Sequence, residues 1–215
     1  LSFDSPLSGF RAYVAVGGGI SVPPVMGSRS TNLSSGFGGI QGRTLEKNDI
    51  LSSENCFQHV KTDRRAFNAA WIPDYLNNWS LRVIWGPQDD HFPDESRDSF
   101  QGATYKMSSD SDRTGIRLQG PVIRQKPDIQ ASIISEGVVS GSVQIPGDGL
   151  PIIILGETVT GGYRKIATVI SADLPLLGQI KPGDAVRFKA VSLAEAQCAL
   201  AAVEEKVHKF EASLK

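Results

Sequence analysis

Two polar, glycine-containing stretches carry residue types that could hold a small anion or face a pocket as a polar cluster. The first, residues 17–43, places Arg29 between Ser28 and Ser30. A guanidinium is a planar fork of donors, and hydroxyl neighbours extend it, so this pattern suits a carboxylate, bicarbonate or phosphate. The alternative interpretation is a structural turn, because clusters of glycine, proline and serine are mostly loops.

The second stretch is Gly86-Pro87-Gln88-Asp89-Asp90-His91-Phe92, which follows an apolar, strand-like segment. An amide, two carboxylates and an imidazole occupy consecutive positions there. One interpretation is a polar cluster facing a pocket. The other is a turn with an Asx N-cap for a helix that starts after Pro93. Chemistry alone does not separate the two.

Two further segments add polar groups beside turns. Asp112 and Arg113 are adjacent before a predicted strand, and neighbouring strand residues face opposite ways. We therefore expect the two side chains to have separate partners. The segment Thr160-Gly161-Gly162-Tyr163 predicts a tight turn that presents a hydroxyl and a phenol.

Several functional classes have no support in the sequence. The run Gly17-Gly18-Gly19 does not complete a dinucleotide-binding motif, and prolines follow where its helix would begin. The three histidines are scattered, which disfavours a metal site. A formal net charge of −1 without a basic cluster disfavours nucleic acid or an anionic membrane as a partner. Cys56 and Cys198 have no metal or redox spacing, and we expect free thiols in the cytoplasm.

Short strands separated by turns must position these residues. We predict strands over 10–16, 81–85, 104–107, 115–118, 133–139, 142–145, 151–155, 166–170 and 185–191, a turn leading into a strand over 45–51, and a short helix over 94–100. Ser192 and Glu195 form a capping box, which predicts a C-terminal helix with one apolar face. This spacing favours an antiparallel barrel or sandwich.

We expect three parts: a partial N-terminal subdomain over 1–78, a barrel over 79–191 and the helix over 192–215. Residues 52–78 are predicted to form a connector at the seam between subdomains. No apolar run reaches transmembrane length, and the chain opens without a secretory signal pattern.

Ordered motifs along the chain carry a family resemblance. They are Gly18-Gly19-Ile20 with Val22-Pro23, residues 27–31, Gly38-Gly39 with Gly42-Arg43, residues 86–90, Ser111-Asp112-Arg113 with Gly115, residues 135–138, Gln144-Ile145-Pro146 with Gly149 and Pro151-Ile152, residues 160–163, Asp173-Leu174, and residues 182–184. In that order the chain resembles the allophanate-hydrolase-subunit-2 type family. Its branches are the C subunit of 5-oxoprolinase, the KipI antagonist KipA, and the carboxyltransferase portion of urea carboxylase.

The resemblance implies a mainly β fold, with a cyclophilin-like β-barrel, a smaller, incomplete α+β subdomain and a C-terminal helix. It implies a partner like KipI or the B subunit of 5-oxoprolinase, and a further partner like the A subunit of that enzyme. One branch helps to cleave 5-oxoproline to glutamate with ATP used by the complex and no cofactor on this chain. A second moves a carboxyl group from carboxybiotin to urea, and a third counteracts KipI, which inhibits a sporulation sensor kinase.

Site roles follow from the resemblance and the residue types together. Asp89 and Asp90 are the candidate catalytic groups, acting in proton transfer. The candidate substrate-binding residues, for a small carboxylate or lactam, are Ser28, Arg29, Ser30, Gln88, Arg113, Thr160 and Tyr163. We expect no metal.

The chain departs from the family pattern in two ways. Family members begin with further residues, so this chain resembles an N-terminally truncated one, and we expect exposed sheet edges and self-association. Thr114 and Thr158 stand where the family has an apolar residue and an amide, and these changes slightly favour the regulatory branch.

Overall fold

A computed structural model describes residues 8–53, 75–130 and 132–213. It divides into two compact units, one formed by Leu1–Arg11 and Asp74–Lys215 and the other by Ala12–Pro73. Most of the predicted connector, with Cys56, His59 and Trp71, lies outside the described residues. The proposed boundaries at 78 and 191 stay a prediction.

The larger unit contains nine strands and three helices within its described residues. The strands are β1 (Asn78–Trp85), β2 (Tyr105–Met107), β3 (Gly115–Gln119), β4 (Glu136–Gly137), β5 (Ser142–Ile145), β6 (Ile152–Ile154), β7 (Thr160–Gly161), β8 (Arg164–Val169) and β9 (Ala185–Ala190). The helices are α1 (Asp94–Gly102), α2 (Leu174–Leu177) and α3 (Leu193–Ser213).

Seven of these strands close into a barrel in the order β1-β8-β5-β6-β3-β2-β9. The pair β1–β9 is parallel, and the other barrel pairs are antiparallel. The short strands β4 and β7 form a separate two-stranded sheet. The predicted mainly β class, with a barrel and a C-terminal helix, is confirmed.

The barrel is filled by aliphatic side chains and one aromatic group. The rings of Phe100 and Phe188 stack at 4.4 Å, and Tyr105 meets Phe188 edge-on at 5.8 Å. All three residues are almost fully buried. Helix α1 contributes Phe100 to this group, so the barrel core includes one helix face as well as the strands.

Two buried carboxylates hold the ends of the barrel strands. Asp173 accepts hydrogen bonds from the backbone N–H of Arg82 at 2.8 Å and from its Nη2 at 2.5 Å. Asp184 accepts from the indole N–H of Trp79 at 2.8 Å. Both acids are only 3% exposed, and each fixes β1 to a turn distant in sequence.

Three sequence-based predictions of strands need correction. Residues 10–16 form no strand, because the backbone N–H groups of Phe10 and Arg11 donate to the Gln179 side chain instead of to a neighbouring strand. Residues 45–51 form the predicted turn, closed by Asp49 N–H donating to Glu46, but no strand follows it within the described residues. Within the predicted strand 133–139 only Glu136–Gly137 forms a strand, although Ile133 and Val138 also donate their N–H groups to the carbonyls of Gly162 and Val159.

Helix α3 begins at the predicted capping box. The Ser192 hydroxyl accepts from Glu195 N–H at 3.2 Å, and the Glu195 carboxylate accepts from Ser192 N–H at 2.7 Å. No residue of α3 is fully buried. Within the described residues, no helix has the length and apolar character needed to cross a membrane.

The smaller unit is built from turns over its described residues 12–53. Val25 and Ser28 pair as an antiparallel bridge, with Met26 and Gly27 both at positive φ, as in a type I′ turn. Arg43 makes a two-pronged ion pair with Asp49, at 2.8 and 2.9 Å. This pair lowers the pKa of Asp49 to about 2.

Candidate functional site

A β-bulge sets the position of one buried lysine. Between β5 and β8, Gln144 pairs with Lys165 and Val143 with Ala167, so Ile166 is an extra residue on β8. A bulge breaks the regular alternation of side chains and can redirect one of them. Lys165 lies just before the extra residue, and its side chain is 8% exposed. The sheet thus buries a cation near the end of the barrel where β8 begins.

The side chain of Gln88 accepts the backbone N–H of this lysine, as the carbonyl of a neighbouring strand would do in a regular sheet. The last paired residue of β1 is Trp85, opposite Ala167, and Gly86 N–H then donates to Ile166 at 2.9 Å. Beyond that point, Lys165 N–H donates to the side-chain oxygen of Gln88 at 3.0 Å. A Cβ on Gly86 would lie 2.2 Å from the Lys165 carbonyl oxygen, so only glycine allows this approach.

Glu136 completes a closed ring of hydrogen bonds. Its Oε1 accepts from Lys165 Nζ at 2.5 Å and from Gln88 Nε2 at 2.7 Å. These bonds, that of Lys165 first, lower the pKa of Glu136, so the carboxylate is ionised at neutral pH. Both donors use Oε1. Oε2 receives no hydrogen bond from the described residues, and the side chain is 43% exposed.

We call Gln88, Glu136 and Lys165 the amide–lysine cluster. The small sheet β4–β7 brings a predicted binding segment beside it, because Glu136 pairs with Gly161 and Gly137 with Thr160. Thr160 and Tyr163 are both exposed. This pairing places Thr160 opposite the strand that carries Glu136, the residue to which Gln88 donates, and Tyr163 follows β7 by two residues.

The predicted catalytic acids lie in the 3₁₀ turn Asp89–His91, directly after Gln88. Asp89 forms an ion pair with Arg97 of α1 at 3.0 Å, whereas the Asp90 side chain is 76% exposed. Helix α1 begins after Pro93 and has no side-chain N-cap. The turn in the second interpretation is therefore confirmed, but the Asx cap that belonged to it is wrong. The first interpretation, a polar cluster facing a pocket, stays a prediction.

Arg164 lies next to Lys165 and is 3% exposed. Its Nε donates to His91 Nδ1 at 2.9 Å and its Nη1 to Gln125 Oε1 at 2.8 Å, and it also donates to the Gln130 carbonyl. Burial lowers the pKa of this guanidinium. His91 and Arg164 thereby join the turn after β1 to the start of β8, beside the amide–lysine cluster.

Arg113 and Asp112 have separate partners, as predicted. Arg113 forms an ion pair with Glu157 at 2.7 Å, and Asp112 accepts from the N–H groups of Thr114 and Gly115. The pair with Glu157 lines a cavity of about 380 Å³ together with Arg11 and Gly178. No residue of the amide–lysine cluster lines this cavity.

The predicted anion site of Ser28, Arg29 and Ser30 belongs to the smaller unit. All three residues are exposed. Ser28 Oγ accepts from Ser30 N–H at 3.1 Å, and Arg29 Nη1 donates to the Ile20 carbonyl at 3.5 Å. Within that unit the pattern makes a local turn, and its role as an anion site stays a prediction.

Sequence reasoning missed Lys165 and gave Glu136 no role. A signal was present: Arg164 and Lys165 are consecutive cations at the start of a strand whose other residues, except Thr168, are apolar. Charged residues are almost never fully buried without partners.

Among the described residues, no group of three or more metal-ligating side chains occurs.

Comparison with known proteins agrees with this architecture. The urea carboxylase of Kluyveromyces lactis superposes with a TM-score of 0.72 at 28% identity, over 84% of this chain and 17% of that one. The barrel fold is thus one that carboxyltransferase-type proteins have. The chain belongs to the family described as carboxyltransferase domain, subdomain A and B, which it matches over residues 1–190. The predicted resemblance is confirmed at this level.

Two curated relatives are bacterial. The C subunit of 5-oxoprolinase from Escherichia coli K12 is 39% identical over 197 residues, which cover 91% of this chain and 61% of that protein. The C subunit of 5-oxoprolinase from Haemophilus influenzae is 36% identical, over 87% of this chain and 58% of that protein. The chain therefore spans about three fifths of the length of these relatives.

Proposed function

We propose that this chain is part of a protein of the same type as the C subunit of 5-oxoprolinase and that its amide–lysine cluster binds the lactam group of 5-oxoproline. The closed ring of hydrogen bonds among Gln88, Glu136 and Lys165 carries this proposal. It holds a cation and a carboxylate side by side in one orientation. The two bacterial relatives, both named for 5-oxoprolinase, support the choice of substrate.

The chemistry of the cluster complements an amide. A lactam presents an N–H donor beside a carbonyl acceptor. Glu136 Oε2, which receives no hydrogen bond from the described residues, is the acceptor for that N–H. Lys165 Nζ is the donor for the carbonyl oxygen, and its charge would stabilise negative charge developing there. Because the ring holds both groups before substrate arrives, little reorganisation is needed.

The proposal includes a partner. We infer that the full-length protein binds KipI or a B-type subunit of 5-oxoprolinase, with an A-type subunit in the enzyme complex. The complex uses ATP, and this chain binds no cofactor. Asp89 and Asp90, in the turn directly after Gln88, are the further candidates for contacts with the substrate. Calorimetric titration of the full-length protein with the B-type subunit tests the assembly, and the absence of heat would overturn it.

Turnover of the assembled complex tests the site. We expect Lys165→Met and Glu136→Gln to lower kcat by about 100-fold or more, because each removes a group that contacts the reacting amide. Lys106→Met and Glu95→Gln are the matched controls, since both side chains are exposed on the same unit. Full turnover by both site variants, in complexes that still assemble, would overturn the proposed site.

A second candidate is carboxyl transfer to urea, which the superposition on the urea carboxylase of Kluyveromyces lactis favours. Urea also presents N–H beside C=O, so the same cluster would bind it, and biotin would then carry the carboxyl group. Urea-dependent loss of carboxybiotin, without 5-oxoproline-dependent ATP hydrolysis, would select this alternative.

Restored activity of a KipI-inhibited kinase would instead select the regulatory branch, which Thr114 and Thr158 favour.

A further inference from the structure

Arg164 is a buried cation whose partners in the protein are all neutral. The residue is 3% exposed. Its guanidinium donates to an imidazole nitrogen of His91, to the side-chain oxygen of Gln125 and to the backbone carbonyl of Gln130. A buried charge is ordinarily paired with an opposite charge, because water no longer solvates it. Arg164 lacks such a pair within the described residues.

Arg82 shows the ordinary arrangement in the same unit of the chain. Its guanidinium is paired with the carboxylate of Asp173, and this hydrogen bond raises the pKa of Arg82. For Arg164 burial is the cause that acts, and it lowers the pKa. No carboxylate of the described residues therefore offsets the charge of Arg164.

One nitrogen of Arg164 is left for a ligand. A guanidinium has five N–H donors, and Nε and Nη1 supply the three bonds to His91, Gln125 and Gln130. Nη2 donates to no atom of the described residues. Among those residues, the Tyr105 hydroxyl is the one side-chain polar atom that is both enclosed and without a hydrogen bond. Nη2 therefore faces a space that water reaches.

The surroundings of this guanidinium are also positively charged. Gln125, one of its acceptors, lines a cavity of about 340 Å³ together with Arg124 and Lys126, and no acidic residue of the described part of the chain lines it. Asp90 lies 3.8 Å from the other imidazole nitrogen of His91, and its side chain is 76% exposed to water. A positive potential of this kind raises the local concentration of anions.

We propose that Nη2 of Arg164 binds the carboxylate group of a small molecule. A carboxylate carries one negative charge, which matches the single charge of Arg164, and the low exposure of the residue favours a small ligand. The hydrogen bond is charge-assisted, and it uses Nη2 alone because Nε and Nη1 already have acceptors.

This carboxylate site is separate from the amide–lysine cluster. The acceptors of Arg164 are His91, Gln125 and Gln130, and none of them belongs to that cluster. The inference is therefore independent of the proposed function and is tested without turnover.

Titration of the full-length wild-type protein with sodium formate, the smallest carboxylate, tests the site. We expect the side-chain N–H signal of Arg164 Nε, assigned by through-bond NMR spectra, to shift in a saturable way with a Kd of about 1–10 mM. Formamide, which has the same size but no charge, should leave the signal in place. Sodium perchlorate at equal ionic strength should act at least about tenfold more weakly. No saturable shift with formate, or an equal shift with perchlorate, would overturn the proposal.

Thermal unfolding gives a second readout. Formate at about ten times its Kd should raise the Tm of the wild-type protein by about 2–5 °C relative to perchlorate, because it binds the folded state. Arg164→Met should abolish this rise. Arg117→Met is the matched control, since Arg117 is exposed on β3, and it should keep the rise. A rise that persists in Arg164→Met would overturn the proposal, and where this variant does not fold, the titration of wild type decides.

Discussion

Lys165 Nζ lies 2.5 Å from Glu136 Oε1, and Gln88 bonds both residues, donating to the Glu136 carboxylate and accepting from the Lys165 backbone N–H. The lysine is held by its backbone N–H as well as by its side chain. Lys165 and Glu136 are 29 positions apart in sequence. Because Lys165 lies at the bulge in β8 and Glu136 lies in β4, the ion pair requires both the bulge and the small sheet β4–β7. A site supported on strands in this way keeps its geometry without the substrate.

Gln88→Leu should destabilise the barrel as well as the site. Lys165 N–H would lose its acceptor in a half-buried position, and Glu136 would lose one donor. An unsatisfied buried donor costs about 1–3 kcal/mol. We expect a loss of that size in the free energy of unfolding from urea denaturation. Gln119→Leu, at an exposed position on β3, is the control, and equal losses for the two variants would contradict the role of Gln88.

The ion pair should give the protein a specific pH dependence. Hydrogen bonds from Lys165 and then Gln88 lower the pKa of Glu136 in the folded state. The pair therefore stabilises the protein above the ordinary glutamate pKa of about 4.3, and this contribution is lost as pH falls through the lowered value. We expect the difference in unfolding free energy between wild type and Glu136→Gln to shrink in that window. A difference independent of pH from neutral to acid would contradict this linkage.

The Tyr105 hydroxyl is buried without a hydrogen-bond partner among the described residues. Burial raises the pKa of this phenol to about 12. Removing an unsatisfied polar group from a core is nearly neutral or stabilising. We expect Tyr105→Phe to leave the unfolding free energy unchanged or to raise it by up to about 1 kcal/mol, whereas Tyr105→Ala should cost about 3–5 kcal/mol. A clear destabilisation by Tyr105→Phe would mean that the hydroxyl has a partner.

Asp173 should be a major stabilising residue of the barrel. It is 3% exposed and accepts one backbone and two side-chain hydrogen bonds from Arg82. Replacing it by asparagine removes the charge that satisfies the guanidinium. We expect Asp173→Asn to lower the unfolding free energy by about 2–4 kcal/mol, measured by chemical denaturation. Asp128→Asn, at an exposed position, should change it little, and similar losses for both would contradict the role of Asp173.

Local sequence signals predicted the elements whose formation depends on local chemistry. The capping box of Ser192 and Glu195 indicated the start of α3, and the turn after β1 pointed to Gln88. Residues 10–16 alternate like a strand, but pairing needs a neighbour, and the Gln179 side chain occupies the donors of Phe10 and Arg11. Lys165 was missed because its position depends on the bulge opposite Gln144, a relationship between distant segments. The bond between Arg164 and His91 was missed for the same reason, because the two residues are 73 positions apart in sequence.

The most direct test asks whether Glu136 accepts the substrate N–H. It compares kcat/KM of the assembled complex for 5-oxoproline and for N-methyl-5-oxoproline, which lacks that hydrogen, in wild type, Glu136→Gln and the control Glu95→Gln. We predict that wild type and the control prefer 5-oxoproline by at least about tenfold and that Glu136→Gln loses most of this preference. An unchanged preference in Glu136→Gln would contradict the proposed role of the amide–lysine cluster.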